Sequence, residues 1–260
     1  GVLQAVEERI LKPCIYDVSL EKYDKIEANR MMIFPYHIVD GKPFLYSIEE
    51  MKSQFPKTWI YFEMFKDELE KRKRTDKKPE RWYGFGRSQS LKRFSGKDHL
   101  ICPVLSTEGN YVFDDASICF TGGGNGPFYG IEMKQDTKES IFYIQALLNH
   151  WLLERVVKSK ASKFRGDYYS HGKQFIEKLP IYKIDFEESN ETKIHDHIVD
   201  SVRKLMQLKK ERDEQRTREQ RKSFESLINM EERCLEEYIT NLYGAKEVVK
   251  EISDEDERRI

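Results

Sequence analysis

The residues with the clearest capacity for chemistry lie in residues 82–93. This stretch combines three aromatic residues, two glycines, two arginines, a lysine, a glutamine and two serines, and it contains no acid. Arg, Gln and Ser side chains can hydrogen-bond to phosphates and to base edges, whereas aromatic rings stack on a base or pack into a core. Glycine lets the backbone approach a partner closely. The composition indicates a nucleic-acid contact, and a solvated basic turn resting on an aromatic core is the alternative.

A second segment, residues 162–174, repeats this mixture of glycine, aromatic, basic and amide residues. Both segments lie in basic parts of the chain. Residues 66–97 hold twelve Lys and Arg against five acids, and residues 154–183 hold eight against three. Because the formal net charge is −1, only such local patches could attract a polyanion. Solvated surface is the alternative explanation of either patch alone.

Two other groupings suggest different chemistry. Asp115, followed by Glu132 and Lys134, has the acid and Glu-x-Lys order of a magnesium-dependent nuclease, although so short a signal is common by chance. The glycine cluster of residues 122–126 could surround a phosphate. It lacks the Gly-Lys-Ser/Thr ending of a Walker loop, and a strand-like segment follows it instead of a helix. A backbone that approaches a polymer or a partner domain explains the glycines better.

The hydrophobic pattern predicts the elements that would position these loops. We expect a short helix over residues 3–12, a hairpin that turns at Asp40-Gly41, a buried strand over residues 100–105 and an apolar helix over residues 140–159. From about residue 190, two long amphipathic stretches flank a polar run, which predicts a helical hairpin. The fold class is therefore α+β, with mixed or antiparallel strands, packed helices and a long C-terminal helical hairpin.

This pattern predicts three segments. Residues 1–190 form the domain with the basic loops, residues 191–244 form a helical spacer or dimerisation hairpin, and residues 245–260 form a charged, frayed tail. The four cysteines are scattered and lack CxxC spacing, which argues against a zinc site or a disulfide framework and favours a reducing cytoplasm. No apolar run reaches the length of a membrane span, so we expect no membrane partner.

Several short motifs follow one another in an order that is more specific than any one of them. They are Ile10-Leu11-Lys12-Pro13, Phe34-Pro35-Tyr36, Trp82-Tyr83 through Arg87-Ser88-Gln89, Phe120-Thr121-Gly122-Gly123, Tyr129-Gly130-Ile131, Ala146-Leu147-Leu148-Asn149, Gly166 through Gly172, and Leu179-Pro180-Ile181. Together they resemble the C-terminal target-recognition (specificity) domain of bacterial type II, type IIG-like restriction-modification enzymes that carry an adenine-N6 methyltransferase. Residues 198–244 are similar to the helical spacer of such domains and of type I specificity subunits.

The resemblance implies that the chain recognises double-stranded DNA and carries no catalytic or metal-binding residues of its own. The family's catalytic Asn-Pro-Pro-Tyr motif does not occur in the chain. A methyltransferase domain of the same protein would be the protein partner. S-adenosylmethionine, and magnesium if a nuclease is present, would serve the parent enzyme, with no cofactor in this part. The C-terminal helices would dock on that domain or self-associate.

Within this scheme Arg87 and Gln89 are the first candidates for reading bases, because Arg suits the guanine edge and Gln the adenine edge. The further candidates for DNA contact are Ser88, Lys92, Arg93, Lys163, Arg165, Tyr169, His171 and Lys173. The candidates for phosphate contact are Arg72, Arg74, Lys77 and Lys78. Two alternatives from other classes stay open: a protein-interaction module that uses the long helices, and the nuclease with Asp115, Glu132 and Lys134.

Overall fold

The computed structural model describes residues 3–73, 78–87, 91–94, 98–115, 118–120 and 127–245. The contacts divide the chain into two compact units. The first unit comprises residues 1–18, 27–97 and 115–120, and the second comprises residues 19–26, 98–114 and 121–260. This division differs from the predicted boundary at residue 190, because the C-terminal helices share one hydrophobic core with the strands and helices that precede them.

The described part of the first unit contains antiparallel strand pairs and short helices. Its elements are β1 (Leu11–Cys14), β2 (Arg30–Ile33), β3 (Tyr36–Val39), β4 (Lys42–Leu45), α1 (Ile48–Gln54), α2 (Pro56–Met64) and α3 (Lys66–Lys71). β1 pairs with β2, and β3 pairs with β4. The β3–β4 turn is at Asp40-Gly41, as predicted, and both residues have positive φ, 50° and 70°. That conformation matches the tight turns that join twisted strands.

Residues 3–12 do not form the predicted helix. Glu8–Ile10 makes a short 3-10 turn, and β1 follows it directly. The carboxylate of Glu7 accepts hydrogen bonds from the Thr58 hydroxyl at 2.7 Å and from the backbone N–H groups of Lys57 and Thr58, both at 2.9 Å. These contacts cap the first turn of α2. Pairing with distant residues therefore overrides the helical spacing of the local sequence.

An aromatic-rich core holds the first unit together. Its fully buried members come from the turn before β1, from α1 and α2, and from the segment after residue 81; they are Ile10, Met51, Phe55, Trp59, Phe62, Trp82 and Tyr83. Ser47 begins α1 with a capping box, in which it and Glu50 exchange side-chain-to-backbone hydrogen bonds. The first segment of interest is thus built onto a compact local core.

The second unit combines small antiparallel sheets with helices. Its elements within the described residues are β5 (His99–Pro103), β6 (Leu105–Ser106), β7 (Val112–Asp114), β8 (Phe128–Glu132), α4 (Ile141–Asn149), α5 (Trp151–Lys160), β9 (Tyr169–Ser170), α6 (Lys173–Ile176), α7 (Ser189–Glu214) and α8 (Arg218–Leu242). β5 lies between β7 and β8, and β6 pairs with β9. Among the described residues, no helix is both long enough and apolar enough to cross a membrane.

The apolar helix predicted over residues 140–159 is two helices that meet at His150. The backbone of His150 is extended, its Nδ1 accepts the N–H of Leu152 at 3.3 Å, and its Nε2 lies 3.0 Å from the carbonyl oxygen of Glu236. The imidazole therefore caps α5 and links it to α8. Burial is the main cause that lowers the pKa of His150 to about 4.

The two long C-terminal helices are present as predicted. α7 and α8 pack against each other, and residues 215–217 connect them. Thr217 begins α8 by accepting a hydrogen bond from the backbone N–H of Gln220. α7 also packs on α4, and its buried Ile198, Val202 and Leu205 belong to the core of the second unit. The α+β fold class with a C-terminal helical hairpin is confirmed.

Candidate nucleic-acid interface

The aromatic residues at the start of the first segment face the core. Trp82 and Tyr83 are 4% and 3% exposed, and their ring centroids lie 5.5 and 5.4 Å from that of Trp59. Phe85 is half-buried against Phe34. These rings hold the segment on the core of the first unit, and Trp82 and Tyr83 are not placed to stack on a base.

Arg72 fixes the backbone of the same segment. Its guanidinium donates hydrogen bonds to the carbonyl oxygens of Trp82 at 3.3 Å and Gly84 at 3.1 Å. The backbone N–H of Phe85 donates to the Tyr36 hydroxyl at 2.8 Å, and a Cβ on Gly84 would lie only 3.0 Å from that hydroxyl. Arg72 is predicted to contact phosphate, but its guanidinium is engaged with protein carbonyls. The structure places it in a supporting position.

The basic side chains of the first segment are only partly described. Arg87 is exposed where the described backbone of this segment ends, and Lys78 is exposed before the turn Pro79–Arg81. Lys92 and Arg93 lie in the 3-10 turn Leu91–Phe94, whose terminal residues are both buried. The candidates Arg74, Lys77, Ser88 and Gln89 lie outside the described residues, as do the side chains of Lys92 and Arg93.

The second segment forms a hairpin, residues 160–170, which we call the basic hairpin. Lys163 and Tyr169 are bridged across it, and the N–H of Phe164 donates to the carbonyl oxygen of Tyr168 at 2.7 Å. The tip between them turns through Gly166 and Asp167, with φ of 79° and 59°. β9 then continues the hairpin into its pairing with β6. The tip is therefore a defined tight turn.

The basic hairpin carries three exposed cationic side chains. Lys160, Lys163 and Arg165 are exposed. Lys163 Nζ lies 2.5 Å from a carboxylate oxygen of Asp167, and this hydrogen bond raises the pKa of Lys163 and lowers that of Asp167. Lys163 Nζ also lies 6.0 Å from the ring centroid of half-buried Tyr169. The hairpin thus orders a cluster of cations beside an aromatic ring, a combination that suits a phosphate backbone.

A buried polar network lies at the root of the basic hairpin. His171 is fully buried, with Nε2 3.0 Å from Glu154 Oε2 and Nδ1 3.0 Å from Ser106 Oγ. Ser106 donates its own hydroxyl hydrogen to the carbonyl oxygen of Glu108. Lys158 Nζ lies 3.5 Å from Glu154 Oε1. The imidazole and the lysine together pair a carboxylate whose burial alone would be costly.

This network corrects the expected role of His171. A base reader must expose a hydrogen-bonding atom, whereas both ring nitrogens of His171 are engaged in the interior. Its backbone N–H is also occupied, by the carbonyl oxygen of Val104 at 2.8 Å. His171 therefore holds the hairpin in place. Lys173, also predicted to contact DNA, begins α6 and is exposed.

The structure brings three of the candidates together in one hairpin. Lys163, Arg165 and Tyr169 lie in one hairpin of the second unit, whereas Arg87 belongs to the first unit. Sequence reasoning overlooked Phe164 and Tyr168, which are each 47% exposed at the hairpin tip. Their position next to predicted contacts was an available signal. It is ambiguous, because Trp82 and Tyr83 stand in a segment of similar composition and are buried.

The nuclease alternative gains no support. Asp115, Glu132 and Lys134 all lie within the described residues. The described residues contain no group of three or more His, Cys, Asp or Glu side chains that could hold a metal ion.

Comparison with known proteins adds one result to this geometry. No family model matches the chain. Over 261 aligned residues the chain is 27% identical to the type II restriction enzyme and methyltransferase RM.Eco57I of Escherichia coli. The chain resembles a restriction-modification enzyme. The alignment covers 97% of this chain and 26% of the relative, so the chain spans about a quarter of the length of that protein. The similarity to RM.Eco57I supports the restriction-modification family that the order of motifs indicates.

Proposed function

We propose that this chain is the DNA target-recognition domain of a restriction-modification methyltransferase and binds double-stranded DNA sequence-specifically. The observation that carries the proposal is the basic hairpin, which exposes Lys160, Lys163 and Arg165 on a backbone fixed by the His171 network. The similarity to a restriction enzyme and methyltransferase, which covers 97% of this chain and 26% of that relative, supports DNA as the partner of these cations.

The proposed division of labour follows from the chemistry of base modification. A methyltransferase extrudes its target base from the duplex, so another domain must hold the enzyme in register. Here the cations of the basic hairpin and Lys173 contact phosphates, and Arg87 reads a base edge in the major groove. The methyltransferase domain of the same protein is the partner and uses S-adenosylmethionine. We place this activity in the cytoplasm.

The first experiment tests electrostatic binding by the 260-residue chain. Fluorescence anisotropy would follow a duplex of roughly 30 base pairs between about 50 and about 200 mM salt. The affinity should fall linearly on a double-logarithmic plot. The double variant Lys163→Ala/Arg165→Ala should flatten that slope by about 2, whereas the control Arg203→Ala/Lys210→Ala, which removes exposed cations of α7, should leave it unchanged. Undetectable binding at low salt would overturn the proposal.

The second experiment tests base reading by Arg87. Selection from a random duplex library should enrich one sequence for the unaltered chain. Arg87→Ala should relax the preference at one position and cost about 1–3 kcal/mol of binding free energy on the selected site. An equal loss on selected and unselected DNA would make Arg87 a phosphate contact.

One observation favours a second function, protein interaction through the long helices. α8 exposes Leu227 and Met230, which are 46% and 56% exposed and lie three residues apart on one face. Such a face suits a partner helix or a second copy of the chain. Absence of DNA binding at low salt, together with concentration-dependent self-association that Leu227→Ala/Met230→Ala abolishes, would favour this function over DNA recognition.

A further inference from the structure

The tip of the basic hairpin carries two exposed aromatic rings that phosphate contact does not explain. Phe164 and Tyr168 are each 47% exposed and lie opposite each other across the tip, where the N–H of Phe164 donates to the carbonyl oxygen of Tyr168 at 2.7 Å. Single exposed aromatic residues are ordinary on protein surfaces. A facing pair at the end of a projecting turn is a local apolar surface.

The tip is also a tight turn with a net positive charge, from Lys163 and Arg165 against Asp167. Gly166 and Asp167 hold left-handed backbone conformations, with φ of 79° and 59°, and the carboxylate of Asp167 bonds to Lys163. Arg165 is exposed between the two rings in sequence. Because the turn is already ordered, little conformational freedom is lost when it inserts into a partner. Two exposed aromatic rings beside cations complement a polyanion with stacked apolar bases inside it.

We propose that Phe164 and Tyr168 form a wedge that enters double-stranded DNA at a base step and stacks on the bases it separates. This inference rests on the proposed DNA recognition and adds to it a distortion of the duplex. Apolar wedges inserted between base steps unstack and kink DNA, and aromatic rings stack on any base face. Lys163 and Arg165 would hold the phosphates beside the opened step.

Contacts at the base of the hairpin hold the proposed wedge to the rest of the second unit. His171, Glu154 and Ser106 fix the strand that leaves the tip, and β9 pairs with β6. Lys158 completes the network from α5, the helix that enters the hairpin. The hairpin is therefore anchored at both of its ends within the second unit, as a wedge requires.

The test compares two probes with the full chain. One is a fully paired duplex of roughly 30 base pairs, and the other is the same duplex with a single-nucleotide bulge at its centre. A wedge binds the bulged duplex more tightly, because part of the unstacking is already done. We expect a preference of roughly tenfold in Kd. Phe164→Ala/Tyr168→Ala should abolish the preference while keeping the salt slope, and Phe164→Tyr/Tyr168→Phe should retain the preference.

A fluorescent base supplies an independent readout. In a series of paired duplexes, 2-aminopurine stands at each successive position, and unstacking of the step it occupies raises its emission. The chain should raise this emission at one or more positions, and the double alanine variant should not. Ile60→Ala/Met64→Ala, which removes exposed apolar side chains of α2, is the control that should behave like the unaltered chain.

The outcomes separate this inference from the function on which it rests. Equal affinity for both duplexes, or a preference that survives Phe164→Ala/Tyr168→Ala, would overturn the wedge and leave DNA recognition intact. No binding to either duplex at low salt would overturn both. Thermal unfolding of the double alanine variant should match that of the unaltered chain, since both rings are exposed.

Discussion

Two segments of this chain have similar compositions but differ in whether their aromatic rings are buried or exposed. Residues 82–93 and the basic hairpin both mix glycine, aromatic and basic residues. In the first segment Trp82 and Tyr83 are buried in an aromatic core, whereas in the second Phe164 and Tyr168 stand exposed at the tip. A basic-aromatic composition therefore marks a candidate interface, but it does not say whether the rings or only the cations face the partner.

The two segments also differ in how their backbones are held. In the first segment Arg72 donates hydrogen bonds to backbone carbonyl oxygens, and the ring of Trp82 packs against Trp59 in the core. The basic hairpin has no comparable aromatic core among its described contacts. A buried network around His171 and the short pairing of β6 with β9 anchor it instead. The backbones of the two segments are thus held by different kinds of contact.

The largest expected effect is the difference in stability between alanine variants of a buried and an exposed aromatic residue. Trp82→Ala should lower the free energy of unfolding by about 3–5 kcal/mol, because it leaves a large cavity in the core of the first unit. Phe164→Ala should change it by no more than about 0.5 kcal/mol. Urea denaturation of the full chain measures both. Similar losses for the two variants would mean that the rings are equally buried in solution.

Acid should weaken the second unit through His150. Burial lowers the pKa of His150 to about 4 from its ordinary value near 6.5, so the unfolded chain binds the proton more readily than the folded one. The resulting stability is fully present above about pH 6.5 and is lost as the pH falls towards 4, by about 3 kcal/mol in all. Denaturation midpoints measured across this range should fall less steeply for His150→Gln.

The control for this prediction changes the neighbour of the same ring. Thr240 Oγ1 lies 3.4 Å from His150 Nε2, and Thr240→Val removes that contact without removing the imidazole. Thr240→Val should keep most of the pH dependence, because the buried imidazole that titrates is still present. A slope for His150→Gln as steep as that of the unaltered chain would assign the acid sensitivity to other groups.

The anchor of the basic hairpin provides the next test. His171→Phe should cost about 2–3 kcal/mol, because Glu154 then loses its imidazole partner in a buried site. Hydrogen exchange should show faster opening of the backbone amides of residues 162–171. Glu154→Gln keeps a hydrogen-bonding side chain and should cost less. If both variants left hairpin exchange unchanged, the network would not be the anchor.

The smallest effect distinguishes a clamp from a phosphate contact at Arg72. Arg72→Lys keeps the charge but replaces the forked guanidinium that reaches the carbonyl oxygens of Trp82 and Gly84. It should cost about 1–2 kcal/mol of stability and leave the salt dependence of DNA binding unchanged. Full stability of Arg72→Lys, together with a salt slope that Arg72→Ala flattens by about 1, would restore the predicted phosphate role.

The helical hairpin shows what local sequence predicts well. Apolar residues at helical spacing in α7 and α8, with a polar connection between them, predict two helices, and the structure has them. The Asp40-Gly41 turn is predicted for the same reason. In each case the energetic cause lies within a few residues of the feature, so the sequence records it directly.

Other features depended on partners distant in sequence. Residues 11 and 12 belong to the stretch for which the sequence predicts a helix, but residues 11–14 form a strand that pairs with β2. His171 looks like an exposed loop histidine and is buried by Glu154 and Ser106, which lie 17 and 65 residues away. The unit boundary lies elsewhere than residue 190 because α7 shares its core with α4 and β5.

The sequence by itself determined the α+β class, the long paired helices and the two basic segments, because propensity, spacing and charge are properties of neighbouring residues. Only the tertiary structure decided which aromatic rings face outward. Trp82 and Phe164 stand in similar local sequences, but burial depends on what the rest of the chain places beside each ring. Long-range packing alone therefore buries Trp82 in a core and leaves Phe164 at the tip of the basic hairpin.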